Sequence, residues 1–172
     1  MVAGVTASIE LRIKAALTGT NDLGTPKMTV NPIEEILQIV AGTDAVNKCD
    51  LLFSDTRTLS ASANEDLDLA GVLASAFGAT ITAAEIVLIY VKAAAGNTNN
   101  VNITRPTSNG FIGPFLAAGD GVAVKPGEYQ LLASKSGWAV TASTGDLLNV
   151  ANSGGTTGVT YDILILGRTV AA

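Results

Sequence analysis

The chain has 172 residues, of which 48% are apolar, 15% charged and 5% aromatic, with a net charge of −5, one cysteine and no histidine. The missing histidine excludes Ser-His-Asp and Cys-His nucleophiles and the usual zinc and non-haem iron sites, and a lone Cys49 excludes an intrachain disulfide. Ten scattered basic residues argue against nucleic acid or an anionic membrane as partner, and no run of about 18 apolar residues is present to cross a bilayer.

The charged fraction is well under the roughly 25% of an average soluble domain, while Thr, Ser, Asn and small apolar residues abound. A weakly charged surface suits a protein that covers much of itself with copies or a large partner. The first eight residues lack the basic and apolar regions of a secretory leader, so synthesis and assembly in a cytoplasm are expected.

In residues 5–13, Val5, Ala7, Ile9, Leu11 and Ile13 alternate with Thr6, Ser8, Glu10 and Arg12. Period two predicts a strand with one buried face, against a helix that Glu10, Leu11 and the following Lys14-Ala15-Ala16-Leu17 would tolerate. Residues 18–26 are a loop by their Gly, Asn, Asp and Pro content, and residues 27–30 a short second strand. Residues 31–41 stay open between helix and strand. Asn31 and Pro32 fit an N-cap and first helical position, with Glu34 and Glu35 in the first turn, ended by Ala41-Gly42-Thr43-Asp44; Ile39 and Val40 favour a strand.

Residues 50–59 read as a strand, 64–71 as a turn-rich link, and 71–77 as a single helical turn or a strand edge. Residues 86–91, Ile-Val-Leu-Ile-Tyr-Val, are the strongest strand signal in the chain, fenced by Glu85 and Lys92. A run apolar on both faces predicts a central strand covered on both sides; its expected sheet neighbours are residues 101–104 and 159–166.

Downstream, short strands alternate with turns. Residues 101–104, 111–116 (an edge, given Pro114), 122–124, 129–133, 138–142, 147–150 and 159–166 are the predicted strands. Asn109-Gly110 marks a turn, and Lys125-Pro126-Gly127-Glu128 a type II turn. This spacing predicts a sandwich or barrel.

Chemistry is sparse. Asn64, Glu65, Asp66 and Asp68 alternate oxygens as a calcium loop would, but without its spacing, so a solvated turn is the better reading. Gly119-Asp120-Gly121 and Ser153-Gly154-Gly155 do not sit between a strand and a helix and read as turns rather than phosphate loops. Trp138 fits a core or interface aromatic better than a sugar platform. Asn97, Asn99 and Asn100 fit a hairpin tip better than a recognition loop. Cys49 beside Lys48 reads as a buried or incidental thiol rather than one with a lowered pKa. No pair of carboxylates stands out for glycoside chemistry.

A further pattern runs through residues 41–167. It comprises Ala41-Gly42-Thr43-Asp44, Phe53-Ser54-Asp55-Thr56-Arg57-Thr58-Leu59, Glu65-Asp66-Leu67-Asp68-Leu69-Ala70-Gly71, residues 86–92, Asn97, Val122-Ala123-Val124-Lys125-Pro126-Gly127, Val140-Thr141-Ala142, Thr144-Gly145-Asp146-Leu147-Leu148-Asn149-Val150-Ala151-Asn152 and Tyr161-Asp162-Ile163-Leu164-Ile165-Leu166-Gly167. In these strands and turns the chain resembles small structural proteins of tailed-bacteriophage virions. The resemblance implies a β-sandwich or jelly-roll core, a capsid decoration (cement) protein or head or tail accessory component, and no catalytic residues.

The expectation is therefore an all-β protein: an antiparallel, jelly-roll-like sandwich over residues 31–172, at most one or two short helices, and an extended N-terminal arm over residues 1–30. Val5, Ile9, Leu11 and Ile13 are the candidate assembly residues of that arm. The protein is expected to be no enzyme, to need no cofactor or metal, and to partner copies of itself (a trimer) and a major capsid or tail protein, in a virion assembled in the bacterial cytoplasm. The alternative is a receptor- or carbohydrate-binding module at a tail tip, with Trp138, Asn97, Asn99 and Asn100 as contacts.

Overall fold

The computed structural model describes residues 4–43 and 45–172. The described residues form strands and no helix. In chain order the strands are β1 (Ala7–Ile13), β2 (Ala16–Thr18), β3 (Lys27–Thr29), β4 (Ile33–Ala41), β5 (Lys48–Cys49), β6 (Leu51–Leu59), β7 (Asn64–Asp68), β8 (Glu85–Ala93), β9 (Val101–Thr104), β10 (Gly121–Val124), β11 (Tyr129–Ala139), β12 (Leu147–Asn152) and β13 (Val159–Arg168).

β6 to β13 make two four-stranded sheets, ordered β11-β8-β13-β6 and β10-β9-β12-β7. Their antiparallel pairs nest inside one another: β9 with β10, β8 with β11, β7 with β12, β6 with β13. This long nested hairpin closes on itself through the β8–β13 and β9–β12 pairs. The result is a sandwich with jelly-roll connectivity.

Residues 86–91 lie in β8, an interior strand of its sheet, flanked by β11 and β13. Ile86, Ile89, Val91 and Ala93 enter the main core, which Leu67, Val101, Ile103, Leu148 and Val150 complete from the opposite sheet. Val87 and Leu88 instead join a second, smaller cluster on the outer face, with Leu166, Ile39 and Cys49. A bulge makes this possible: β13 steps from Leu166↔Leu88 to Gly167↔Ile86, which leaves Val87 as the extra residue. The expected cover on both faces is therefore present, but by two different cores.

Several expectations need correction. Residues 101–104 do not flank β8; as β9 they pair with β10 and β12 in the other sheet, because the loop after β8 crosses between sheets instead of closing a hairpin. Residues 64–68 form β7 rather than a link. Asn, Glu and Asp are poor strand formers, yet pairing with β12 and full burial of Leu67 override that propensity. Residues 111–116 form turns, not a strand: Phe111 and Phe115 are buried four residues apart, while Ile112 and Leu116 face out. The segments at 129–133 and 138–142 are largely one strand, β11, with a bulge between Ala133 and Trp138. Residues 71–77 hold turns and a bridge from Ala74 to Thr80.

The open choice at 31–41 resolves as strand. Its helix-start residues are outweighed by a ladder with β1 that runs from Ile33 to Ile39 of β4. Asp44, read as the end of that segment, lies outside the described residues. The type II turn at 125–128 is present, with Gly127 at φ +79° and Glu128 N–H donating to Lys125 C=O at 3.0 Å.

Candidate assembly surface

β1 and β4 are antiparallel, from Ala7↔Ile39 through Ile9↔Leu37 and Leu11↔Glu35 to Ile13↔Ile33. β2 and β3 carry the same ribbon outward, from Ala16↔Thr29 to Thr18↔Lys27. A tight turn closes it: Asn21 and Gly24 exchange backbone hydrogen bonds of 2.9 and 3.2 Å, and the Asn21 side chain accepts from Leu23 N–H at 3.0 Å. The N-terminal arm and the strand after it are thus two halves of one hairpin.

Residues paired across the ladder share a face. One face carries Ala7, Ile9, Leu11 and Ile13 with Ile39, Leu37, Glu35 and Ile33. The other carries Ser8 with Gln38 (2.9 Å between side chains) and Arg12 with Glu34 (2.7 Å). The base of the apolar face is seated on the body: Val5, Ala7, Ile9 and Leu37 pack on the second cluster with Val87, Leu88 and Leu166. Beyond it, every residue from 10 to 36 is exposed. Of the four candidate arm residues, Val5 and Ile9 therefore touch the body, while Leu11 and Ile13 are 50% and 46% exposed. Leu17, Met28, Ile33 and Ile36 are also exposed.

Arg168 fastens the base. It is fully buried at the end of β13, and all five of its N–H groups are engaged. Nε donates to Glu85 at 2.5 Å, Nη1 to Ala45 and Lys48 carbonyls at 2.9 and 3.2 Å, and Nη2 to Lys135 and Ser136 carbonyls at 3.3 and 2.6 Å. One guanidinium thus joins β8, the β4–β5 connection and the bulge of β11. Gly137, at φ +80°, makes room: a Cβ there would lie 2.7 Å from Nη2. No motif in the sequence marks Arg168. Its one signal is position, a lone cation closing the apolar run of β13.

Cys49 lies under the same base. Val5 N–H donates to its carbonyl at 3.2 Å, and its thiol is fully buried. Burial pushes the thiol pKa up to about 11, partly offset by Arg168 nearby. Above pH 9 the unfolded chain releases a proton that the native thiol keeps. The native state then binds more protons, so stability falls as pH rises and levels off above about 11. Urea unfolding of wild type and Cys49→Ala at pH 8 to 11 is expected to show an extra loss of about 2–3 kcal/mol in the wild type across this window. Parallel pH profiles would rule the linkage out.

The acidic residues at 64–68 are engaged within the fold. Glu65 accepts from Arg57 at 2.8 Å (Nε) and 2.5 Å (Nη2), and from the Tyr161 hydroxyl at 2.7 Å, clasping one sheet to the other. Burial alone would raise the Glu65 carboxyl, but these hydrogen bonds outweigh it and hold the pKa below the usual range. Tyr161 is shifted upward, by burial and then by its bond to Glu65. Asn64 and Asp66 accept from the Asn149 amide at 3.2 and 2.7 Å, and Asp68 accepts from Ala70 N–H at 2.9 Å. Among the described residues no group of three or more His, Cys, Asp and Glu is arranged to hold a metal ion, and no helix is long and apolar enough to cross a membrane.

The four candidate ligand contacts are not brought together. Trp138 pairs with Ile86 at the start of β8 and packs against the main core. Asn97, Asn99 and Asn100 follow the far end of that strand, about 23 Å away by strand rise from residue 86 to 93. The Asn97 amide donates to and accepts from the Thr160 backbone, both at 2.9 Å. Asn99 donates to the Thr157 carbonyl at 3.1 Å, and Asn100 N–H to the Ser153 hydroxyl at 2.9 Å. These contacts tie the β8–β9 crossover to the β12–β13 loop.

Comparison of the chain with protein-family models, curated proteins and solved structures finds no match.

Proposed function

We propose that the chain is a non-enzymatic structural protein of a tailed-bacteriophage virion, which decorates or stabilises the capsid, or associates with head or tail, through multisubunit contacts. The observation that carries the assembly part of this reading is the exposed apolar face of the arm. A two-stranded ribbon is marginal in water on its own, and this one holds Leu11, Ile13, Leu17, Met28 and Ile33 in solvent beyond residue 10. An apolar surface of this kind marks an interaction site. Copies of the chain and a major capsid or tail protein are its proposed covers. The virion assignment rests on the resemblance in residues 41–167 and on the low charge. Jelly rolls recur in capsid and lectin domains, which supports it by analogy of fold alone.

The test uses the ladder itself. Glu10 and Ile36 are paired, so a short Gly/Asn turn can join them and remove residues 11–35. The shortened protein is expected to fold, with a melting midpoint near that of the full chain, and to be lost from purified particles. Mass spectrometry of particles with the full chain is expected to give many copies, hundreds for a shell or tube. A protein absent from particles, or one retained without its arm, overturns the reading.

A further inference from the structure

We infer that the arm of one copy docks on the outer face of the β11-β8-β13-β6 sheet of a second copy, with Glu35 placed against Lys92. This deepens the assembly reading and rests on it. The outer face of that sheet is ordered in rows. The first row, Leu52, Leu166, Leu88 and Ala133, lies at the end where the chain's own arm base sits. The second row, Ser54, Leu164, Tyr90 and Leu131, is half-buried or exposed, and the third holds Thr56, Asp162, Lys92 and Tyr129. Ser54, Thr56, Tyr90, Asp162 and Leu164 line a shallow depression there. The Tyr90 and Tyr129 rings, 5.8 Å apart, extend its apolar floor towards the sheet edge.

The chain therefore contains a donor and an acceptor of the same chemistry. The intramolecular contact shows the mode: Ile9 and Leu37 of the arm pack on the cluster that holds Leu88 and Leu166, and Tyr90 and Leu164 border the same cluster. The next apolar residues of the arm, Leu11, Ile13 and Ile33, are exposed, and on the sheet Leu131 and Tyr129 are exposed beside the half-buried Tyr90 and Leu164. Glu35 is the one charge on the apolar face of the β1–β4 ladder, and among the described residues it has no hydrogen-bond or ion-pair partner. Lys92, the cation on the acceptor face, likewise has none among them. Rows on both surfaces repeat every two residues, about 6.8 Å. With Ile13 and Ile33 over Tyr90 and Leu131, Glu35 falls one row away, where Lys92 stands. Apolar pairing with one complementary charge specifies register and partner together. Because arm and sheet are different surfaces, the contact is head-to-tail; it closes into a ring, such as a trimer, or runs on as a chain.

The experiment is sedimentation velocity and native mass spectrometry of the purified full chain. Wild type is expected to self-associate. Glu35→Lys and Lys92→Glu, both at exposed positions, are each expected to raise the dissociation constant at least about tenfold, the first with no change in melting midpoint and the second with a small drop, because position 92 stands opposite Asp162. The double reversal is expected to restore association. A monomeric wild type overturns the contact, as does association indifferent to both single reversals, or a double variant no better than the singles. Copy number in particles tests the virion reading separately, so failure of one does not imitate failure of the other.

Discussion

Arg168→Ala is expected to lower the unfolding free energy by about 3–5 kcal/mol, the range for breaking a buried ion pair by removing one partner. The loss has two parts. Glu85, itself largely buried, keeps its carboxylate without the cation, and four backbone carbonyls lose their donors. Arg168→Lys retains the charge but offers three donors from one atom. It cannot reach carbonyls on the β4–β5 connection and on the β11 bulge together, so it is expected to recover only a minor share. Urea denaturation gives the magnitude, and amide exchange gives the location. Protection is expected to fall first at residues 45–49, where the arm base is fastened, and to persist in β9 and β12. A loss under about 1 kcal/mol, or uniform loss of protection, would show that Arg168 is not the fastener.

What the sequence revealed follows from which forces are local. β8 and β13 were legible because a β-branched apolar run has few other uses. The turn at 125–128 was legible because Pro126 and Gly127 each supply one required backbone angle. The β1 alternation placed Ile9, Leu11 and Ile13 on one face, as the ladder with β4 has them. Period two assigns a face but not a neighbour, however, so residues 101–104 were placed beside β8 when they belong to the opposite sheet. β7 was obscured because Asn64, Glu65 and Asp66 are polar for reasons of the fold: they hold Arg57, Tyr161 and Asn149. Residues 31–41 stay open because Asn31 and Pro32 satisfy a helix start locally, while β1, which decides the matter, pairs from a distance in sequence, as Ile9 does with Leu37. Arg168 and the acceptor row of Tyr90, Leu131 and Leu164 depend on partners across the sheet, which only the three-dimensional register supplies.

Ile89→Asp is expected to unfold the protein at ordinary temperature. Ile89 is 1% exposed on the inner face of β8, between Ile165 of β13 and Leu132 of β11. Removing a packed Ile side chain costs about 2–5 kcal/mol. Burying a carboxyl with no partner adds at least about 1–3 kcal/mol on mutational scales, even if it takes up a proton to do so. The sum reaches the lower part of the roughly 5–15 kcal/mol that holds a typical domain together. Two companions separate burial from strand pairing. Ile89→Val keeps the β-branched shape and is expected to cost about 0.5–1.5 kcal/mol. Leu131→Asp places the same charge on the outer face of the neighbouring strand, where the side chain reaches solvent, and is expected to leave the fold intact. Far-UV circular dichroism with thermal melts ranks all three. A melting midpoint for Ile89→Asp equal to wild type, or Leu131→Asp as damaging as Ile89→Asp, would mean that the inner face of β8 is not the seam between the two sheets.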